Sequence, residues 1–230
     1  MELSALNGAT IAFDLDGTLV DTAPDLLRAL DAVMDIEGLP RPPANALRAM
    51  VGHGARALIE RAAADAGATF EPQRLERATA AFIDIYRRDI AGASTPFPGV
   101  EAALTRLSDA GALLSVCTNK RTDLSVELLE ALGLADRFAS IIGADAVPAR
   151  KPHPDHFRAA IEAAGGDLAR AFMVGDTAAD VQSAQAAGRP CVVVRFGYSG
   201  VAPIELGADA LIDHYDELDA ALLRLAAAAR

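Results

Sequence analysis

The stretch Ile11-Ala12-Phe13-Asp14-Leu15-Asp16-Gly17-Thr18 decides the fold, because an apolar run ends there in two carboxylates and a glycine. The run is too short for a helix and the glycine is typical of a turn, so the pattern predicts a buried strand. Side chains alternate along a strand, and Asp14 and Asp16 are therefore expected to point the same way. Two like charges at the rim of an apolar sheet lose hydration and repel each other, at roughly several kcal/mol per ion. A cation is therefore expected beside them.

Two other uses of an Asp-x-Asp pattern fit this stretch less well. A helix-loop-helix calcium site has its glycine at the sixth position, whereas Gly17 is the fourth residue counted from Asp14. A solvated turn would not need Ile11 and Phe13 beneath it. Open α/β sheets bind ligands at the carboxyl ends of their strands, so the pattern favours an acidic functional site.

Length and composition allow one large domain, or a core domain with an insert. The chain has 230 residues and 52% of them are hydrophobic. Cys117 and Cys191 are far apart in apolar runs, which predicts buried free thiols and suits a reducing cytosol. No basic region followed by an apolar one opens the chain, and no apolar stretch approaches ~18 residues. We therefore expect a soluble, cytoplasmic protein. The sequence does not distinguish a monomer from a homodimer.

The charge balance excludes some classes of partner. Lys and Arg number 21 and Asp and Glu number 32, which gives a formal net charge of −11. No basic run or aromatic-interleaved basic patch is present, so neither nucleic acid nor an anionic membrane is expected as a partner. An anionic substrate would need a site that reverses the field locally with a metal ion or a lysine.

Residues 20–91 show helical patterns and no convincing strand. A first helix is expected to begin near Thr22, because Pro24 and Asp25 suit a first helical turn, and Gly38-Leu39-Pro40 ends it. Further helices are expected at about 44–50, 55–66 and 72–90.

From Pro98 onward, short apolar runs alternate with amphipathic helices, which is typical of a parallel sheet with crossovers. Strands are expected at 113–117, 140–143, 171–175 and 191–195, with a weaker edge strand at 210–212. The intervening and following helices are expected at about 99–109, 122–132, 155–164, 177–187 and 216–228.

The first and second strands are too far apart for a simple crossover. A crossover needs a dozen or more residues, yet ~90 separate these two strands. The predicted fold class is therefore α/β, a doubly wound parallel-sheet core domain (1–19 and 92–230) with an inserted all-helical cap domain (20–91). Tethers at 18–20 and 92–98 would join them, and the second contains the Gly, Ser and Pro of a hinge. Such a cap would close over a ligand and exclude water.

The ends of the other strands also carry polar groups. In Thr118-Asn119-Lys120 a hydroxyl and a run of backbone N–H groups suit a phosphoryl oxygen, although simple loop capping explains them equally well. Pro152 and Pro154 fix much of the backbone after Lys151, which is either held in a site or a solvated surface lysine. His153 and His156 are expected to be structural or exposed.

Strand 171–175 ends like the first strand, with acids at the rim. Asp176 and Asp180 lie four residues apart across a helix start, and either could merely cap that helix. Gathered with Asp14 and Asp16, they would form an oxygen-rich site for a hard cation. Magnesium is the natural occupant of such a site, bound by a few oxygens, waters and a substrate phosphate.

Four motifs in this order resemble those of the haloacid dehalogenase superfamily, in its members with an inserted helical cap. The motifs are Asp14-Leu15-Asp16-Gly17-Thr18, Thr118-Asn119, Lys151-Pro152, and Gly175-Asp176-Thr177 with Asp180. The match spans nearly the whole chain. A narrower resemblance, to the phosphoglycolate phosphatases, rests on four stretches: Val51-Gly52-His53-Gly54, Thr118-Asn119-Lys120, Lys151-Pro152-His153-Pro154 and Phe196-Gly197-Tyr198.

The resemblance implies a magnesium-dependent phosphomonoesterase in which Asp14 attacks phosphorus and forms an aspartyl phosphate. Asp16 would protonate the leaving alkoxide and then activate water. Asp14, the backbone carbonyl of Asp16 and Asp176 would hold magnesium, and Asp180 would steady the site.

The resemblance also implies which groups bind the phosphate. Lys151, Thr118 and Asn119, with nearby N–H donors, would compensate the charge of the phosphoryl group.

Substrate choice is expected to come from the cap turn at 51–56. Glycines on both sides of His53 let the backbone approach a ligand, and the N–H groups of the next helix favour a small anion such as a carboxylate. His53 or Arg56 could add positive charge. Gly52, His53 and Arg56 are therefore candidate substrate-binding residues, and the expected substrate is a small phosphorylated metabolite, 2-phosphoglycolate. The alternative is a plain interhelical turn.

Other activities of doubly wound or related folds fit the sequence less well. A signalling receiver module is also phosphorylated on an aspartate with magnesium, but it lacks both the 20–91 insert and an acid at the position of Asp16. Dehalogenases of this fold also lack that acid. Phosphonate hydrolases use a cap lysine, and residues 20–91 contain none. A sugar phosphomutase is the remaining alternative within the superfamily.

Overall fold

The computed structural model describes residues 2–43, 50–52 and 54–228. The predicted helix at 44–50 falls almost entirely outside these residues, and so does His53. In chain order the described strands and α-helices are β1 (Thr10–Phe13), β2 (Val20–Asp21), α1 (Ala23–Ile36), α2 (Ala55–Asp65), α3 (Pro72–Arg88), β3 (Thr95–Pro96), α4 (Val100–Asp109), β4 (Leu113–Cys117), α5 (Thr122–Ala131), β5 (Ser140–Ile142), α6 (Pro154–Ala163), β6 (Ala171–Gly175), α7 (Ala178–Ala186), β7 (Cys191–Val194), β8 (Ala210–Ile212) and α8 (Leu218–Ala228).

Within the described residues, six parallel strands form the central sheet in the order β5-β4-β1-β6-β7-β8. Thr10 lies opposite Leu113 of β4 on one side and Ala171 of β6 on the other, so β1 is central. The chain runs outward from β1 to β5, then returns to build the other half from β6. Ligands of open α/β sheets bind where the strand order reverses in this way, beside the carboxyl end of β1. The predicted α/β fold class and the predicted sheet strands are confirmed.

The sheet is covered by helices on both faces, as the apolar strands require. Ile11 and Phe13 of β1 belong to one apolar cluster, which includes residues of α4 and α8. Ala12 points to the opposite face and joins a second cluster with residues of α6 and α7. Cys117 and Cys191 lie in this second cluster as buried free thiols, as predicted.

Helices α1, α2 and α3 pack against one another around an apolar cluster of their own. Leu30 and Val33 of α1, Ile59 of α2 and Phe82 of α3 are at most 1% exposed in it. Tyr198, from the loop after β7, also belongs to this cluster and so joins the helices to the sheet. The domain boundaries at residues 20 and 91 stay a prediction. Among the described residues, no helix is both long and apolar enough to cross a membrane.

The two tethers of the helical segment pair with each other. Strands β2 and β3 are antiparallel, with Val20 opposite Pro96. The buried Asp25 carboxylate also accepts hydrogen bonds from Ala93 N at 2.9 Å and from Ser94 N and Oγ, both at 2.7 Å. The expectation of no strand in 20–91 is therefore wrong at β2. Two-residue strands are too short to show a period in sequence, and proline argues against a strand.

Candidate active site

The carboxyl ends of three neighbouring strands carry the predicted motifs to one edge of the sheet. Asp14 directly follows β1, and its backbone N–H still donates to Val174 O at 2.9 Å. Thr118 follows β4 and donates its N–H to Ile142 O at 3.1 Å. Asp176 follows β6. The motifs from distant parts of the sequence therefore meet beside β1.

Gly17 lets the loop after β1 press against the next motif. Its φ of +83° is in the left-handed region, and a Cβ atom there would lie 2.6 Å from Asp176 Oδ2 and 2.7 Å from the Tyr198 ring. No side chain fits in that space, and glycine is the residue that adopts this φ without strain. This close approach allows the neighbouring Thr18 hydroxyl to donate to Asp176 Oδ1 at 2.9 Å.

Three carboxylates of the motifs form a buried cluster. Asp14, Asp176 and Asp180 each offer an oxygen within 4.8 Å of the others. Lys151 Nζ lies 3.0 Å from Asp14 Oδ1 and 2.7 Å from Asp180 Oδ1, and it donates to Cys117 O at 2.6 Å. One ammonium group thus pairs with two of the three buried carboxylates, Asp14 and Asp180.

Burial and the negative charge that Lys151 does not compensate raise the pKa values of Asp14 and Asp176. Burial raises the pKa of Asp14 to about 7, against the opposing effect of Lys151 and with help from Asp180. Burial, with repulsion from Asp14 and Asp180, raises the pKa of Asp176 well above its usual range. Hard divalent cations prefer carboxylate oxygens, and such a cation would relieve this repulsion. The residues therefore fit a divalent metal ion.

Asp180 is held by hydrogen bonds on both oxygens. Its Oδ2 accepts from Thr177 N at 3.0 Å, Thr177 Oγ1 at 2.7 Å and Asp176 N at 3.3 Å, while Oδ1 faces Lys151. Thr177 and Asp180 form a capping box at the start of α7, which is the capping role considered from the sequence. Asp180 therefore orients Lys151 and the backbone of Asp176.

His156 supports Lys151 from the other side. Its Nδ1 accepts from Lys151 N at 3.1 Å, and Nε2 lies 3.1 Å from Ile142 O. Burial and the nearby Lys151 charge lower the pKa of His156 to about 4, so the imidazole is neutral and Nε2–H donates to the carbonyl. His153 is exposed, and its Nδ1 accepts from Asp155 N at 3.3 Å at the start of α6. Both histidines are structural or exposed, as predicted.

The Asp16 carboxylate does not join the three-acid cluster, contrary to expectation. It lies with Lys120 instead, at 3.1 Å and 3.4 Å from Nζ to the two oxygens. Strand β1 ends at Phe13, and Asp16 belongs to the turn that follows, so strand alternation does not fix its direction. Burial opposes the charged form of Lys120, but Asp16 and Tyr86 outweigh it and raise its pKa.

The roles of Lys120 and Tyr86 were missed from the sequence. The amino group of Lys120 lies 4.5 Å from the ring centre of Tyr86, a fully buried residue of α3. Lys120 and Lys151 are the only lysines in the 230-residue sequence, and both are buried beside site carboxylates. The scarcity of lysine, in a chain whose other basic residues are arginines, was the available signal.

The loop after β4 arranges both lysines. Thr118 Oγ1 accepts from Lys120 N at 3.2 Å, which is the loop-capping use. A hydroxyl can also donate, so its proton could bind a ligand. Asn119 Nδ2 donates to Lys151 O at 3.2 Å. The buried Asn119 Oδ1 has no hydrogen-bond partner among the described residues.

A cavity of about 480 Å³ lies between the helical segment and this edge of the sheet. Gly52 and Arg56 of the predicted cap turn border it, as do Asp16 and Lys120. Arg56 is largely exposed, with Nε 3.6 Å from Glu60 Oε1. Further wall residues come from both sides of the cavity: Leu26, Phe82, Tyr86, Asn119, Arg121, Leu124, Asp145 and Arg150.

Comparison with known proteins bears on this geometry. The family model for haloacid dehalogenase-like hydrolases matches residues 9–188. The chain belongs to the haloacid dehalogenase-like hydrolases. This membership of a hydrolase family favours an enzyme over the receiver-module alternative, and it fits the divalent metal that phosphatases of this family generally use.

Individual relatives are similar over nearly their whole length. The phosphoglycolate phosphatase of Caulobacter vibrioides is 50% identical over 223 residues, which cover 97% of this chain and 94% of the relative. That of Mesorhizobium japonicum is 45% identical, covering 90% and 92%. A crystal structure of a predicted phosphoglycolate phosphatase from Haemophilus somnus superimposes with a TM-score of 0.85 at 27% identity, covering 91% and 96%.

Proposed function

We propose that this hydrolase is a magnesium-dependent phosphomonoesterase that converts 2-phosphoglycolate to glycolate and phosphate. The observation that carries the proposal is the buried group of Asp14, Asp176, Asp180 and Lys151 at the strand-order reversal, with Asp16 of the same loop as Asp14 bordering a cavity. Relatives at 45–50% identity that are named phosphoglycolate phosphatases support the choice of substrate.

Asp14 is proposed as the nucleophile. One of its carboxylate oxygens forms a bond to phosphorus, the bond from phosphorus to the glycolate oxygen breaks, and an aspartyl phosphate remains. Asp16, which must be in its carboxylic acid form when substrate arrives, gives a proton to the departing alkoxide. It then takes a proton from the water that attacks phosphorus, which releases phosphate and restores the Asp14 carboxylate.

Charge compensation is assigned to the groups around Asp14. Lys151 lies 3.0 Å from its Oδ1 and would bind a phosphoryl oxygen, together with the Thr118 hydroxyl and the Asn119 side chain. Asp14, Asp176 and the backbone carbonyl of Asp16 would hold magnesium. When bound, the ion would neutralise charge on the phosphoryl group and the carboxylates.

The helical segment is proposed to act as a cap. Gly52, His53 and Arg56 would bind substrate from the cap side, since Gly52 and Arg56 border the cavity. Asp25 ties the start of α1 to the second tether, so a hinge there would move the segment as one body. A cytoplasmic location is proposed as well, because both cysteines are buried free thiols.

A panel of phosphomonoesters assayed with magnesium tests this proposal. We expect kcat/KM for 2-phosphoglycolate to exceed that for sugar phosphates and nucleotides by at least about tenfold, the discrimination given by one or two added polar contacts. A sugar phosphate as best substrate would refute the assignment of substrate. So would isomerisation of β-glucose 1-phosphate without phosphate release, which would identify a phosphomutase.

A further inference from the structure

The buried part of the cavity wall contains a polar group that the fold leaves without a partner. Tyr86 is 0% exposed, and its hydroxyl makes no hydrogen bond of ordinary geometry with any described residue, although it lies close enough to Lys120 to affect the pKa of that lysine. An unpaired buried hydroxyl destabilises a protein. Removal of the hydroxyl would leave the ring packing intact, so its presence needs an explanation outside the folded chain.

Lys120 also has unused hydrogen-bonding capacity at the same place. An ammonium group has three donors; Asp16 accepts from Lys120 Nζ at 3.1 Å and 3.4 Å, and the Tyr86 oxygen lies near enough to raise the pKa of the lysine. Both Lys120 and Tyr86 line the cavity, one from the sheet side and the other from α3. The Tyr86 hydroxyl and the Lys120 amino group therefore border one cavity from opposite sides, and the hydroxyl has no acceptor among the described residues.

We propose that Lys120 and Tyr86 form the subsite for the carboxylate of the substrate. One carboxylate oxygen would accept from the amino group of Lys120 and the other from the Tyr86 hydroxyl. The inference rests on the proposed function and adds where the part of the substrate that is not phosphate binds. It assigns the main selectivity to this buried pair, with the exposed Arg56 secondary.

Charge and burial favour Lys120 and Tyr86 over the cap turn at 51–56 as the binding site for the carboxylate. Arg56 has a 60% exposed side chain and already pairs with Glu60, and exposed ion pairs contribute little. The Lys120 and Asp16 side chains are each 6% exposed, so a charge-assisted contact there is little screened by solvent. Lys120 also adjoins Asp16, the group proposed to act on the leaving oxygen, which places a carboxylate subsite next to the reacting bond.

Tyr86→Phe tests the subsite, because it removes the hydroxyl and keeps the ring beside Lys120. The assay compares kcat/KM for 2-phosphoglycolate with kcat/KM for ethyl phosphate, which carries a methyl group in place of the carboxylate. We expect the variant to lose about 10- to 100-fold on 2-phosphoglycolate, the usual effect of losing a hydrogen bond to a charged group, and less than about threefold on ethyl phosphate. Its Tm should stay equal or rise, since an unpaired buried hydroxyl is gone.

Tyr215→Phe is the matched control. Tyr215 is also fully buried, but its hydroxyl donates to Thr18 O at 2.9 Å. That variant should lower Tm and leave the ratio between the two substrates unchanged. A second variant, Lys120→Met, should reduce turnover of both substrates, because Asp16 loses its partner, with a larger loss for 2-phosphoglycolate.

The outcomes separate the subsite from the proposed function. Suppose that wild-type enzyme prefers 2-phosphoglycolate and that Tyr86→Phe keeps the ratio of kcat/KM between the two substrates, or lowers kcat/KM for both equally. The subsite is then overturned and the proposed function stands. If the best substrate is a different carboxylated phosphomonoester whose preference Tyr86→Phe abolishes, the subsite stands and the assigned substrate is wrong. If wild-type enzyme shows no preference for a carboxylate, both are overturned.

Discussion

Replacing Lys151 by methionine should expose how much of the chemistry depends on one buried charge. The substitution keeps most of the side-chain volume and removes contacts to Asp14 at 3.0 Å, Asp180 at 2.7 Å and Cys117 O at 2.6 Å. At 3 Å and an effective dielectric constant near 20, each ion pair has a Coulomb energy of ~5 kcal/mol. Removing one partner of a buried ion pair typically lowers the free energy of unfolding by about 3–5 kcal/mol.

Protonation should offset part of the loss in stability but not the loss in activity. The phosphoryl charge would lose its ammonium partner in the transition state, and about 3–4 kcal/mol corresponds to a fall of roughly 10²–10³ in kcat/KM. In the unliganded protein the carboxylates can take up protons instead, since the pKa of Asp14 is already about 7. Without Lys151 this pKa rises further, so a larger share of Asp14 is protonated at neutral pH. Part of the lost activity should therefore return as the pH rises from about 6 to about 9.

The assay is phosphate release from 2-phosphoglycolate at saturating magnesium across this pH range, with circular dichroism to check folding. Arg158→Met is the control, because it removes an exposed ion pair to Asp155 (3.0 Å), and it should change kcat/KM less than about twofold. A folded Lys151→Met enzyme within about threefold of wild type would refute the role assigned to Lys151.

Metal removal should make stability depend on pH. The raised folded-state pKa values of Asp14 and Asp176 stabilise the protein below about pH 4, and this stabilisation is lost as the pH rises through about 7. The Tm measured in a chelator should therefore fall across this window. Added magnesium should restore Tm at about pH 8, and a melt that ignores both pH and magnesium would contradict the metal site. Asp14→Asn should abolish steady-state phosphate release, and retained turnover would place the nucleophile elsewhere. Without metal at about pH 8, the Tm of this variant should be no lower than that of wild type, because the substitution removes a buried charge that its neighbours repel. Arg56→Ala should lower kcat/KM for 2-phosphoglycolate by about 2- to 5-fold, as expected for an exposed charge, and a loss above about tenfold would move the main anion receptor to the cap turn.

The features that follow local rules could be predicted from the sequence. Short apolar runs ending in polar residues marked the sheet strands, and the observed bounds of β4, β6 and β8 coincide with the predicted ones. The motifs after these strands fall at one edge because parallel strands present their carboxyl ends together. This is why Asp14, Asp176 and Asp180 could be grouped from the sequence, although Asp16 was wrongly grouped with them. Lys151 joined the predicted site only through the family resemblance.

The features that depend on contacts between distant residues could not be predicted from the sequence. Asp16 turns to Lys120 rather than to the other acids, and Tyr86 reaches the same lysine from a helix 34 residues earlier in the chain. The Tyr198 hydroxyl donates to Asp21, 177 residues away in sequence, while Tyr198 N donates to Asp176 at 2.7 Å. No periodicity or propensity encodes such pairs, since they form only when distant segments of the chain pack together.

The central claim, that Asp14 carries the phosphoryl group, is tested most directly by trapping it. Asp16→Ala leaves Asp14 in place but removes the group proposed to activate water, so the second step should slow more than the first. The variant is first allowed to react with magnesium and a phosphomonoester that has an activated leaving group, and the reaction is then quenched with acid. Peptide mass spectrometry should find one phosphoryl group on Asp14. Absence of any adduct, or an adduct on another residue, would contradict the account.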